Sequence, residues 1–244
     1  MAKPILNNLL TIYGRKACEE ALMDNALSIY KLHLADSNKP ASIIKHCIAL
    51  AEKRGVEVVY HDKRGLSFIS KNAKQDQGIA LDIQLDSLDT LDNINIKSAP
   101  KLLLLDNVTN PQNVGMIIRS VAAGFIDGVI IPKKGCAELG ALVIKASAGS
   151  IFKCPIYRVD NVNEAVNLLS EYQLVSLELN SGNDFYETDY SMPTVFVLGN
   201  ETTGVSREVS KHCSKKVSIP MKNGVESLNV AITAALIAFH PSLR

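Results

Sequence analysis

The stretch LLLLDNVTNPQNVG, residues 102–115, decides the fold class of this chain. Its first four residues form an unbroken apolar run, which is typical of a strand buried on both faces of a parallel sheet. A polar loop rich in turn-forming residues follows, and apolar residues then predict a helix from about Asn113 to Ala123. A strand, a loop and a helix in this order form the unit from which parallel α/β sheets are built.

The same alternation continues downstream of this stretch. It predicts strands at 129–131, 156–159, 174–179, 195–198 and 217–219, and helices at 139–147, 162–172, near 206 and at 227–239. Strands that alternate with helices indicate a mostly parallel sheet with helices on both faces. In such sheets ligands bind at the carboxyl ends of the strands, so the loops that follow the strands are the places to look for a site.

A smaller α/β unit is predicted upstream. It alternates helices at 17–26, 41–54 and 66–73 with strands at 29–34, 56–60 and 78–83. Gly55 directly follows the second of these helices, as a glycine past a helix end often does. The pattern predicts a small α/β sandwich of about 85 residues.

The charge distribution supports a division into three regions. Residues 1–75 contain 12 basic and seven acidic side chains, residues 76–99 contain one and five, and residues 100–244 contain 13 of each. We therefore expect a basic domain over residues 1–85, a linker over 86–99 and a second domain over 100–244. The positive charge of the first domain is compatible with a polyanionic partner or with an ordinary solvated surface.

Two strand-end loops carry candidate site residues near helix starts. Asn113 stands near the beginning of a predicted helix, and Arg119 lies six residues further on in an apolar stretch. Asn113 could be a helix cap, and Arg119 a surface charge, but an arginine among apolar residues also needs partners or a polar cleft. Ser227 could likewise cap the last helix, whereas Asn229 inside an apolar stretch needs hydrogen-bond partners.

A third loop combines two glycines with a carboxylate. It contains Gly199, Glu201 and Gly204 after the strand at 195–198. Glycines allow a ligand to approach the backbone closely, and Glu201 at a strand end is a candidate acid, base or hydroxyl partner. The alternative is a plain turn before a helix. Three polar loops at three strand ends predict one composite pocket.

Several function classes are excluded or disfavoured. The composition is globular, with 47% hydrophobic and 21% charged residues. Sequence motifs of dinucleotide-binding folds, phosphate-binding NTPase loops, zinc proteases and nucleophile elbows are absent. Five widely spaced cysteines and five scattered histidines predict neither a disulfide framework nor a metal site. With no signal-peptide pattern and no apolar stretch near the roughly 20 residues of a membrane span, we expect a cytoplasmic protein without a membrane partner.

The three loops, in this order, resemble the three motifs of the SpoU branch of the SPOUT RNA 2′-O-ribose methyltransferases. The motifs are NPQNVGMIIRS at 110–120, LGNETTGVS at 198–206 and IPMKNGVESLNV at 219–230, and KASAG at 145–149 also fits. The upstream unit resembles the family's RNA substrate-binding domain of ribosomal protein L30e type, with YGRKA at 13–17 and QGIA at 77–80. The resemblance covers nearly the whole chain.

This resemblance implies transfer of a methyl group from S-adenosylmethionine to a ribose 2′-hydroxyl of RNA. It also implies that the second domain threads a trefoil knot, an exception to the general rule against threaded chains. The residues expected at the target nucleotide are Asn113, Arg119, Glu201, Ser227 and Asn229. The residues expected at the cofactor are Leu198, Gly199, Gly204, Ile219, Met221 and Leu228.

The resemblance also guides the expected substrate and partners. Relatives with such a first domain mostly modify ribosomal RNA, so a guanosine of 23S ribosomal RNA is the first choice, and a transfer RNA is the alternative. A homodimer is implied, formed through Leu142 and Ile144 or through the last helix. Two other classes stay open, which are a non-catalytic RNA-binding or ribosome-assembly protein and a small-molecule enzyme on an ordinary α/β fold.

Overall fold

The computed structural model describes residues 9–38, 41–84, 100–179 and 181–243 of the 244-residue chain. The predicted linker, 86–99, lies outside the described residues. The strands are β1 (Leu9–Tyr13), β2 (Ser28–Ala35), β3 (Glu57–His61), β4 (Ile79–Gln84), β5 (Lys101–Leu105), β6 (Gly128–Pro132), β7 (Ile156–Val159), β8 (Gln173–Leu177), β9 (Thr194–Leu198) and β10 (Lys215–Val217). The helices are α1 (Arg15–Met23), α2 (Ser42–Lys53), α3 (Lys63–Ser70), α4 (Pro111–Ala123), α5 (Ala141–Ala146), α6 (Val162–Leu168), α7 (Arg207–Ser210) and α8 (Val230–Ala238).

The described residues form two compact units. The first contains the residues before position 88 together with Leu139–Phe152. Its sheet has the order β1-β4-β2-β3, in which β4 runs antiparallel to both of its neighbours and β2 pairs with β3 in parallel. Tyr13, Ala35, Leu66 and Ala80 form a buried cluster against which α5 packs through Ala141.

The KASAG segment, 145–149, has a packing role in this first unit. Lys145 donates from Nζ to the carbonyl oxygen of Gln75 at 2.6 Å. Gly149 adopts a φ of +82°, and a Cβ there would lie 2.4 Å from Cβ of Glu20. Glycine is therefore required at this position by both the backbone conformation and the close approach of α1.

The second unit is built on a six-stranded sheet of order β10-β8-β9-β5-β6-β7, with every pair of neighbours parallel. β5 and β9 lie side by side at its centre, and Leu102–Leu105 are completely buried. The predicted α/β class with a mostly parallel, helix-flanked sheet is confirmed. The unbroken leucine run reflects a strand that has no solvent-facing side.

Some local predictions differ from the structure. β1 was not expected; its five residues pair antiparallel with β4, a long-range partnership that no local pattern reveals. α8 begins at Val230 and not at 227, because Asn229 caps it by accepting a hydrogen bond from Ala231 N at 2.9 Å. Ile144, one of the side chains expected at a dimer interface, is fully buried and cannot contact a second copy there.

Candidate active site

The carboxyl ends of β5 and β9 meet at a buried carboxylate, Asp106. The two strands are paired in parallel with Leu105 opposite Leu198. Asp106 follows Leu105, is fully buried, and accepts hydrogen bonds from the backbone N of Ser206 at 2.7 Å and from Nδ2 of Asn107 at 2.7 Å. This side chain therefore fixes the loop after β9 against the loop after β5. Sequence reasoning missed it, although an acidic residue directly after a buried strand is the signal that could have found it.

The loop after β9 is a tight turn stabilised within itself. Asn200 and Gly204 exchange two backbone hydrogen bonds of 3.0 and 2.9 Å. The side-chain Oδ1 of Asn200 also accepts from the backbone N of Thr202 at 2.9 Å. A Cβ on Gly199 would lie 2.0 Å from the carbonyl carbon of Gly204, so the turn itself requires glycine at this position. The approach of a ligand to these glycines stays a prediction.

A chain of side-chain hydrogen bonds joins the three loops. Asn113 on α4 is buried, and its Nδ2 donates to Oε1 of Glu201 in the loop after β9. Its Oδ1 accepts from Nδ2 of Asn229 at 3.2 Å. Asn229 in turn caps α8. Three residues that are 88 and 116 positions apart along the chain therefore form one network at the strand ends.

The alternative role of Asn113 as a helix cap is wrong. Asn110 caps α4 by accepting a hydrogen bond from Gln112 N at 2.9 Å, and Pro111 occupies the first turn. Asn113 is the third residue of the helix, and its buried amide needs other partners. It finds them in Glu201 and Asn229, and its role in the site stays a prediction.

Arg119 lies on the exposed side of α4, along with Met116 and Ala123. It follows Asn113 by six residues, which places the two side chains about 120° apart around the helix axis. Within the described chain its guanidinium makes no hydrogen bond and no ion pair. The structure therefore does not bring Arg119 into hydrogen-bonding contact with the network, and it leaves all five guanidinium donors available.

Ser227 and three of the predicted cofactor residues lie in the segment before α8, and a fourth cofactor residue, Leu198, ends β9. Ser227 is exposed and makes no side-chain hydrogen bond to a described residue. Ile219, Met221 and Leu228 are half-buried in a segment without regular secondary structure, and their backbone N–H groups have no partner among residues 9–38, 41–84, 100–179 and 181–243. Leu198 is buried at the end of β9. Apolar side chains next to free backbone donors can hold a ligand that has both an apolar and a polar part.

The described residues contain no group of three or more histidine, cysteine, aspartate or glutamate side chains placed to hold a metal ion. Among the helices that the structure describes, none is both long and apolar enough to cross a bilayer.

Known structures define the class of this fold. The SpoU methyltransferase AviRb from Streptomyces viridochromogenes, solved with AdoMet, superimposes with a TM-score of 0.79 at 24% identity over 95% of this chain and 88% of that one. An AdoMet-bound rRNA methyltransferase from Sinorhizobium meliloti gives 0.77 at 24% identity over 96% and 86%. The chain thus has the fold of the SPOUT methyltransferases.

Sequence comparison gives the family. Residues 100–239 match the model of the SpoU rRNA Methylase family, and residues 11–87 match a model for RNA 2′-O ribose methyltransferase substrate binding. The chain belongs to the SpoU rRNA methylase family, and the prediction of an S-adenosylmethionine-dependent RNA 2′-O-ribose methyltransferase is confirmed.

Two methyltransferases are among the relatives that resemble this chain in sequence. The 23S rRNA (guanosine-2′-O-)-methyltransferase RlmB of Neisseria meningitidis serogroup B is 31% identical over 94% of this chain and 93% of that protein. An uncharacterized tRNA/rRNA methyltransferase of Mycolicibacterium smegmatis is 33% identical over 80% of this chain and 64% of that protein.

Proposed function

We propose that this enzyme methylates a guanosine 2′-hydroxyl of 23S ribosomal RNA. The observation that supports the location of the reaction is the hydrogen-bonded network of Asn113, Glu201 and Asn229 at the ends of the central strands. The similarity to the Neisseria enzyme along 94% of the chain supports the choice of RNA. The cytoplasm, where ribosomal RNA would be modified, is the expected location.

The residues at the strand ends fit S-adenosylmethionine. The unpartnered backbone donors of Ile219, Met221 and Leu228 suit the polar edge of an adenine, and their half-buried side chains suit its faces. Leu198 and the Gly199–Gly204 turn would hold the remainder of the cofactor. When bound, the cofactor supplies a methyl group on a positively charged sulfur.

Arg119 and Glu201 are the groups that we assign to the ribose. Arg119 binds the phosphate beside the target with its unpartnered guanidinium, whose planar fork matches two phosphate oxygens. A guanidinium held near the 2′-hydroxyl favours the deprotonated oxygen and so lowers the pKa of that hydroxyl. Glu201 keeps Oε2 available beside the bond from Asn113. With Arg119 charged, the proton of the 2′-hydroxyl passes to Glu201, and Arg119 takes it instead only after its guanidinium has lost a proton of its own. Ser227 and Asn229 orient the ribose.

We assign residues 1–85 to RNA substrate binding, 86–99 to a linker and 100–244 to catalysis. The family resemblance also implies a trefoil knot in the catalytic part.

A homodimer through the catalytic part is the expected assembly. α8 contains no charged residue, and Ile232 and Phe239 at its surface are 52% and 48% exposed. Exposed apolar side chains on an uncharged helix favour burial against a second copy. Ile232→Glu should shift the protein to monomers in sedimentation velocity, whereas the control Leu179→Glu should not. A dimer that survives Ile232→Glu would contradict this assignment.

The experiment that tests the proposed function is mass-spectrometric mapping of ribose methylation in RNA from a deletion strain. We expect one 2′-O-methylguanosine to disappear from 23S ribosomal RNA and to return with the wild-type gene. Arg119→Ala should fail to restore it while the purified variant still binds S-adenosylmethionine in calorimetric titration. A lost mark in transfer RNA would favour the alternative substrate, and an unchanged methylation pattern would reject the proposal.

A further inference from the structure

The most exposed large apolar side chain among the described residues is Phe68 on α3, at 85% exposure. The packing of α3 explains its direction. Leu66 and Ile69 face the core of the first unit, and Phe68, two positions after Leu66, points to the opposite side of the helix. Phe68 is therefore not part of the core and does not stabilise the fold by burial. A role outside folding would explain an aromatic ring at this exposed position.

Two cations stand near this ring along the chain, one within α3 and one directly after it. Arg64 precedes Phe68 by four residues, so their side chains are neighbours on the helix surface. Lys71 follows Phe68 by three residues and terminates α3 in a left-handed conformation with φ +53°, and both cations are exposed. Neither makes an ion pair or a side-chain hydrogen bond with a described residue. The carboxylate nearest in sequence, Asp62, is engaged as the cap of α3 through Gly65 N at 2.7 Å.

A cleft beside α3 continues the positive charge. It has a volume of about 470 Å³, and two cations, Arg15 and Lys63, line it together with Gln77 and one carboxylate, Asp76. Asp76 is buried and engaged by Ser70 Oγ and Gly78 N, each at 3.0 Å, so the two cations outnumber it. Gln77 accepts a hydrogen bond from Arg15 N at 2.9 Å, and its carbonyl oxygen accepts from Arg15 Nε at 3.2 Å. These bonds orient the arginine while leaving its terminal nitrogens free for an anion.

We propose that Arg64, Phe68 and Lys71 form a stacking platform for an unpaired base of the RNA substrate. A flat exposed ring stacks on any base, and cations at both sides contact the neighbouring phosphates. A paired helix buries its base faces in its own stack and cannot use the ring. The platform therefore selects single-stranded segments, such as a loop, and adds to the positive cleft at Arg15 and Lys63. The inference rests on the proposed function and deepens its RNA-binding part.

The test measures binding of the full chain to two labelled RNAs, a single strand of about 12 nucleotides and a duplex of the same length. Because stacking contributes about 1–3 kcal/mol per base, Phe68→Ala should weaken single-strand binding by about 5- to 150-fold and leave duplex binding unchanged. Phe68→Trp should retain the single-strand binding of the wild type, because the larger ring can still stack on a base. Since the ring is exposed, the variants should fold, as thermal melts would check.

Salt titration tests the cations separately. Arg64→Gln and Lys71→Gln should each reduce the slope of log affinity against log salt by about 0.7 for the single strand. Lys53→Gln, which removes an exposed charge at the end of α2, is the matched control and should leave the slope unchanged. Equal losses for single strand and duplex in Phe68→Ala, or no loss at all, would overturn the platform. Since binding needs neither cofactor nor methyl transfer, that result would leave the proposed reaction standing.

Discussion

Asn113 is the residue on which the candidate site depends most directly. Its amide both donates and accepts, so it can connect a carboxylate on one loop with an amide on another. An apolar residue at this buried position would leave Glu201 and Asn229 without their shared partner. Asn113 therefore helps to orient Glu201, and it orients Asn229 together with the cap bond from Ala231 N.

Single replacements of Asn113 in α4 and of Asn110, its N-cap, should distinguish a loss of catalysis from a loss of stability. Asn113→Ala should reduce kcat by about 100-fold, the order seen when one positioned donor is lost from an active site, with little change in the affinity for S-adenosylmethionine. The control Asn110→Ala removes the helix cap and should cost about 1 kcal/mol of stability while kcat stays near that of the wild type. Single-turnover methylation and thermal unfolding measure the two effects. Comparable rates for the two variants would contradict a special role of Asn113.

Asp106 should be a structural residue of the site. It accepts two hydrogen bonds and offers no proton, whereas an asparagine there would direct an N–H group at one of the two donors, Ser206 N or Asn107 Nδ2. Asp106→Asn should therefore lower the free energy of unfolding by about 1–3 kcal/mol. Asp160→Asn breaks only an exposed ion pair with Lys133 and should leave the stability close to that of the wild type. Denaturant titration of both variants gives the comparison.

At the level of elements, α4 and α8 are aligned along their length. Asn113 and Asn229 meet at their starts, and beyond their ends Phe125 N donates to the carbonyl oxygen of Ala238 at 2.7 Å. The two helices therefore run in the same direction, side by side. We therefore expect a change in their spacing at one end to alter the network at the other.

Gly124 sets that spacing. A Cβ at this position would lie 2.4 Å from the carbonyl oxygen of Ala238, so Gly124→Ala should push α4 and α8 apart and destabilise the protein by about 1–3 kcal/mol. Gly140→Ala is the control, since a Cβ there meets nothing within 4 Å. Thermal unfolding compares the two, and the activity of Gly124→Ala should fall as well because the site lies at the other end of this helix pair. Equal stability of both variants would contradict this account.

In the second unit, the sequence predicted which strands and helices form better than it predicted the residues at which they begin and end. The run Leu102–Leu105 defined β5 because a completely buried strand has an unambiguous pattern. The end of α6 at Leu168, not 172, and the start of α8 at Val230 depend on which residue makes a cap. Both caps rest on hydrogen bonds that span two to four residues, which the pattern of apolar residues does not record. The same reason explains why Asn113 and Asn229 could be named as site residues but not paired in advance.

At the level of the whole molecule, Leu139–Phe152 was the least predictable part. Its sequence position falls inside the region matched by the methylase model, 100–239, yet it belongs to the compact unit of the N-terminal residues. Lys145 lies 5.4 Å from the ring centre of Tyr13 and donates to Gln75, two contacts across a long sequence separation. Prediction from local sequence patterns assigns such a segment to the domain of its sequence neighbours, because these patterns contain no information about a distant partner.

The C-terminal end contains a histidine that should make stability depend on pH. His240 is 4% exposed, and its ring stacks on Tyr186 and packs edge-on against Phe185. Its Nδ1 accepts a hydrogen bond from Ser242 N at 3.3 Å, which requires the neutral ring. Burial lowers the pKa of His240 below its ordinary value of 6.5, because the charged form loses its hydration.

The direction of the pH dependence follows from how many protons the folded and the unfolded protein bind at His240. Below about pH 6.5 the unfolded chain binds a proton at His240 that the folded protein does not, so stability should fall as the pH drops through this value. His240→Phe keeps an aromatic ring without the titrating group and should flatten the dependence between about pH 5.5 and 7.5. His212→Gln changes an exposed histidine and should leave the dependence as in the wild type. Thermal unfolding in a buffer series measures all three proteins, and a wild-type slope that persists in His240→Phe would assign the dependence to other groups.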